Sequence, residues 1–128
     1  QDMGNLQGAK ESFERALEID EKAYGKEHTS VARDVNNLGS VLRDMGDLQG
    51  AKERFERALE IDEKAYGKEH TSVAIKVNNL GLVLKDMEDL QGAEACFERA
   101  LRIFQKRLGN DHPHTILVRN NLESLRRR

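Results

Sequence analysis

From Val31, apolar and small residues return at every third or fourth position, at Val31, Val35, Leu38, Leu42 and Met45. That spacing lines one face of a helix. A second stripe follows at Leu48, Ala51, Phe55, Ala58, Leu59, Ala65 and Tyr66, with Asp62 as its polar interruption. Gly46 separates the stripes in Asp44-Met45-Gly46-Asp47, and Gly67 closes the second in Tyr66-Gly67-Lys68-Glu69-His70. Glycine takes positive φ at little steric cost, so each can end a helix and turn the chain. Helices joined by so few residues pack antiparallel. The pattern therefore predicts a hairpin of a helix A and a helix B. On helix B, Glu53 and Arg57, Lys52 and Glu56, and Glu60 and Lys64 are four apart, which predicts a charged, solvated outer face.

This hairpin is part of a repeat. Residues 2–43 recur as 44–85, a period of 42 residues, with six differences, and 86–127 is a looser third copy. Helical repeats of this length stack on their neighbours, so residues 1–128 are expected to form one array stabilised by contacts between adjacent units. The chain lacks an initiator methionine and begins half-way through a repeat, as a piece of a longer array would. The first helix B, roughly 6–24, has no helix A before it, which predicts an exposed apolar strip at Leu6 and Phe13 and self-association through that end. At the other end, 113–128 reads as a capping helix: Val77, Gly81 and Leu84 are matched there by Arg119, Glu123 and Arg126. Polar substitutions suit a helix that receives no further neighbour.

Composition narrows the function. The 21 basic and 23 acidic residues leave a formal net charge of −2, which argues against general affinity for nucleic acid or membrane surfaces. The single cysteine, Cys96, allows no internal disulfide, as fits a reducing, cytoplasmic compartment. No apolar run reaches the length of a membrane span.

The motifs Leu38-Gly39-x-x-Leu42, Gly46, Ala51-x-x-x-Phe55 and Ala58-Leu59, repeated as Leu80-Gly81-x-x-Leu84, Ala93-x-x-x-Phe97 and Ala100-Leu101, resemble the tetratricopeptide repeat in the long form found in kinesin light chains and in sensor arrays of some signalling NTPases. The resemblance covers essentially the whole chain. It implies an all-α, right-handed superhelical solenoid of about six helices in antiparallel pairs, with the A helices lining a concave groove. Two departures stand out: the aromatic usual near the start of helix A is Val35 or Val77 here, and Glu88 replaces the turn glycine of the third copy.

Arg33, Asn36, Asn37, Ser40, Arg43 and Asp44 share one face of helix A, opposite the packed stripe. Four of the six differences between the first two copies fall on helix A: Arg33 to Ile75, Asp34 to Lys76, Ser40 to Leu82 and Arg43 to Lys85. Retuning of a duplicated scaffold where it meets a ligand gives such a pattern, as does drift on a tolerant surface. Asn36-Asn37, Asn78-Asn79 and Asn120-Asn121 recur in every copy. An amide both donates and accepts, so a column of asparagines can pair with an extended peptide backbone. In the family Asn37, Asn79 and Asn121 match such a ladder, and the competing reading is that one asparagine of each pair bonds to the neighbouring helix. Positive charge comes from Arg33, Arg43, Lys76 and Lys85, and an apolar patch from Ile75 and Leu82. The expected peptide-binding set is thus Arg33, Asn36, Asn37, Ser40, Arg43, Ile75, Asn78, Asn79, Leu82, Lys85 and Asn121, and the expected ligand an extended, acidic peptide with an apolar anchor.

No catalytic, metal or cofactor site is expected. Glu27-His28, Glu69-His70 and Asp111-His112 place one acid-histidine pair in each unit, too far apart to share a metal. They precede helix A, where Thr29 or Ser30 can cap and the acid suits the helix N-terminus. Two alternatives to peptide recognition remain: a structural scaffold or self-associating array without a groove ligand, and the sensor repeats of a multidomain signalling NTPase.

Overall fold

A computed structural model describes Asp2–Arg128, and the described residues form six α-helices and no strand. In chain order these are α1 (Met3–Tyr24), α2 (Thr29–Asp44), α3 (Leu48–Tyr66), α4 (Thr71–Asp86), α5 (Leu90–Leu108) and α6 (Pro113–Arg126). Helices α2, α4 and α6 correspond to helix A, and α1, α3 and α5 to helix B. The chain divides into two compact units, Gln1–Ala65 and Tyr66–Arg128.

In the first unit the core joins Leu17 of α1, Val31, Ala32, Val35 and Leu38 of α2, and Ala58 and Ile61 of α3, with Phe13 packed at its edge. The expected apolar strip at the N-terminal end is only partly there. Leu6 is buried and Phe13 half-buried, while the exposed apolar residues of α1 are Met3, Ile19 and Tyr24. Helix α1 also begins earlier than expected, at Met3, because Asp2 caps it by accepting from the Asn5 amide at 2.9 Å. The tract Asp44-Met45-Gly46-Asp47, nearly the same sequence, forms a turn instead, with Gly46 at φ 88°.

The second unit packs α4 on α5 and α5 on α6. Its fully buried side chains include Val73, Val77, Val83, Phe97, Ile103, Phe104 and Val118. Each fully buried aliphatic or phenylalanine side chain contributes about 1.5–3 kcal/mol relative to exposure. Arginines fasten the C-terminal end back onto the residues before it, Arg126 standing where the preceding copy has Leu84. Arg126 meets Glu94 at 3.0 Å and Glu98 at 2.7 Å, and Arg128 reaches Glu88 at 2.9 Å.

The outer faces carry the expected pairs Lys64–Glu60 and Lys52–Glu56, at 3.5 and 4.0 Å. Arg57 instead crosses to Glu21 of α1 at 2.7 Å, a contact that local spacing does not reveal.

Candidate functional site

The A helices begin on histidines. The Nδ1 of His28, His70 and His112 accepts the amide of the second residue beyond, Ser30, Ser72 and His114, at 3.0, 3.0 and 3.1 Å. The cap is therefore the histidine rather than Thr29 or Ser30. Tyr24 stacks on His28 and Tyr66 on His70, with ring centroids 4.5 and 4.3 Å apart, so the rings hold the cap in place. Asp47 and Asp89 cap α3 and α5 through the amides of Gly50 and Gly92. With Nδ1 used this way, the histidines of the recurring acid-histidine pairs have a structural role. No group of three His, Cys, Asp or Glu side chains that could hold a metal occurs among the described residues.

In the first unit, Val31, Val35, Leu38 and Leu42 are buried, and the other side of α2 carries the expected residues. Arg33 and Ser40 are exposed, and Asn36, Asn37 and Arg43 are half-buried. Arg33 is 66% exposed, with Nη2 at 3.4 Å from Asp20 of α1 and Nε at 3.6 Å from Asp34.

In the second unit, Ile75, Asn79, Leu82 and Lys85 of α4 are half-buried. Asn78 is buried and accepts a hydrogen bond at 3.1 Å from the side-chain nitrogen of Asn121 on α6. That bond uses one of the two amide N–H groups of Asn121 and ties α6 to α4. Lys76 departs from expectation. It is 9% exposed and its Nζ donates to Ser72 Oγ at 3.2 Å, so its charge is turned into the protein. Sequence reading omitted Leu117, which is 52% exposed on α6. Its repeat position is that of Arg33 and Ile75, and this alignment was the signal available. Ile75, Leu82 and Leu117 are thus apolar residues of the second unit that the core does not fully cover.

A family model for the tetratricopeptide repeat matches residues 1–64, 32–76 and 72–128, in step with the repeat period and the helix pairs. The chain belongs to the tetratricopeptide repeat family. These repeats generally mediate protein–protein interaction or scaffolding and are not enzymes as a class. A comparison with curated proteins gives no match. Among solved structures, the chain is similar to BtubC (BKLC) from P. vanneervenii, with a TM-score of 0.88 and 28% identity over 97% of this chain and 50% of that one. It is also similar to a Podosopora anserina kinesin light chain protein with nearly identical TPR-like repeats, with a TM-score of 0.87 and 25% identity over 95% of this chain and 58% of that one. The chain thus spans 50% to 58% of the length of these structures. No described helix is long and apolar enough to cross a membrane.

Proposed function

We propose that the chain is a peptide-recognition module of a protein-interaction array, taking an extended, acidic segment with apolar anchors on the outward faces of its A helices. The observation that carries this reading is the chemistry of one face in the second unit. Ile75, Leu82 and Leu117 leave apolar surface uncovered beside Lys85 and the Asn78–Asn121 pair. In the first copy the matching positions of α2 hold Arg33, Ser40 and Arg43, so the same face there is basic and polar. Apolar side chains give a ligand burial, amides give backbone pairing, and cations favour a partner of opposite charge. The solvent-facing positions of the A helices hold three of the six differences between otherwise matching copies, as expected of surfaces retuned toward a ligand. A cytoplasmic partner fits a chain whose single cysteine allows no internal disulfide.

Selection from a random peptide display library tests this. Peptides enriched on the chain should be acidic, with at least one large apolar residue, and should be lost when Ile75→Asp and Leu82→Asp are combined. Enrichment of basic sequences would contradict the reading, as would equal retention by the double variant. Failure to enrich any peptide would favour a scaffold without a groove ligand.

A further inference from the structure

Two carboxyl groups meet where α1 packs on α2. Asp34 lies on the packed side of α2 with its side chain 4% exposed, and its Oδ2 has no hydrogen-bond partner. From α1 it is faced by Asp20, whose side chain is 16% exposed and stands within hydrogen-bonding reach. A buried, unpartnered carboxylate oxygen is strongly disfavoured, and so are two ionised carboxylates side by side. One proton between them removes both problems, since the orphaned oxygen gains a partner and one negative charge disappears.

The other charged groups around this contact offer little relief. Arg33, next to Asp34 on α2, reaches both acids only at 3.4 and 3.6 Å and keeps most of its surface in solvent. Glu21 of α1 is occupied by Arg57 of α3 at 2.7 Å. Burial, then the hydrogen bond and charge of Asp20, push the Asp34 carboxyl up to about 6, against a smaller downward pull from Arg33. The acid pair is no requirement of the repeat: the second copy has Asp62 and Lys76, opposite charges, at the positions of Asp20 and Asp34.

We propose that the buried Asp34 carboxyl holds a proton against Asp20 in the folded chain, and that its loss draws the Arg33 guanidinium from the outward face of α2 into the α1–α2 contact. With the proton bound, one negative charge faces Arg33 and the guanidinium stays available at the surface. With it gone, two negative charges compete for the same cation, one of them cut off from water. A consequence for peptide affinity rests on the recognition reading above, whereas the proton switch stands without it.

Carbon-13 carboxyl NMR of the whole chain, recorded with the Arg33 Nε signal across pH 4 to 8, tests the switch. The Asp34 carboxyl should titrate about two pH units above an ordinary aspartate. Arg33 Nε should shift with the same midpoint. In Asp20→Asn the Asp34 midpoint should fall, because the like charge is removed and an amide can donate to the carboxylate. Ordinary titration of Asp34, an unmoved midpoint in Asp20→Asn, or an Arg33 signal indifferent to pH would each overturn the proposal. The wild-type titration decides the matter even where the variant fails to fold. Signals that move as expected, with peptide affinity independent of pH, would support the switch and count against Arg33 as a ligand contact.

Discussion

The ring of Phe55 lies against Gly39 so closely that a Cβ on the glycine would stand 2.7 Å from the ring. The second unit repeats the relationship, with Gly81 and Phe97 giving 2.8 Å. Both rings are almost wholly buried, so neither can swing into solvent. Gly81→Ala should therefore destabilise the chain by about 1–3 kcal/mol, the usual cost of overpacking a filled core. Gly8 provides the contrast: it sits in α1 with nothing within 4 Å of its Cβ direction. Gly8→Ala should stabilise by about 0.5–1 kcal/mol. Urea unfolding of the two variants checks both signs together.

The histidine caps give a second prediction. His70→Ala removes the acceptor for the Ser72 amide and the ring on which Tyr66 stacks. A loss of about 1 kcal/mol is expected, typical of a deleted N-cap, and His70→Asn should restore most of it. Equal losses in both variants, measured by thermal unfolding, would show that the stack rather than the cap matters.

Glu88 occupies the turn between α4 and α5 with φ 64°, where Gly46 serves the equivalent turn at φ 88°. A side chain in this left-handed region costs roughly 1–2 kcal/mol. Glu88 is also held by Arg128 at 2.9 Å, but an exposed ion pair returns only about 0–1 kcal/mol. Glu88→Gly should therefore raise stability by up to about 1 kcal/mol. A lowered melting temperature would mean that the Arg128 bridge outweighs the backbone conformation.

Asp34 predicts a pH dependence of stability with a definite sign. Its carboxyl is raised in the folded chain from 3.8 to about 6, so the folded state binds the proton more tightly than the unfolded state. The stability linked to this proton is fully present below about pH 4 and is lost as pH rises through about 6, amounting to on the order of 3 kcal/mol. Asp34→Asn should be more stable than wild type at pH 7.5, with the advantage shrinking towards pH 4.5. A difference between the two chains that does not vary with pH would contradict this.

Much of the fold was legible because its signals are local. The stripe from Val31 to Met45 marks α2, and Gly46 and Gly67 mark turns. What escaped depends on groups brought together from distant parts of the chain or on unusual local chemistry. Lys76 shares a helix with the outward residues, yet its side chain turns to Ser72 and is buried. Asp20 and Asp34 meet only once α1 packs on α2. Histidine is an uncommon cap, and Thr29 and Ser30 beside it are better cap formers by type, so composition pointed one residue too far along. On the A helices, the Asn78–Asn121 bond between α4 and α6 matches the competing reading of the repeated asparagines, in which one of a pair bonds to another helix.

The central claim is that ligand binds on the outward faces of the A helices. Amide chemical-shift mapping, with an acidic, apolar-anchored peptide from the library selection titrated into the isotopically labelled chain, addresses it most directly. Shifts should concentrate in the second unit at Ile75, Asn79, Leu82, Lys85 and Leu117, with affinity falling as salt is raised. Shifts concentrated on the outer faces of α3 and α5, around Glu53, Glu60 and Arg102, would contradict it.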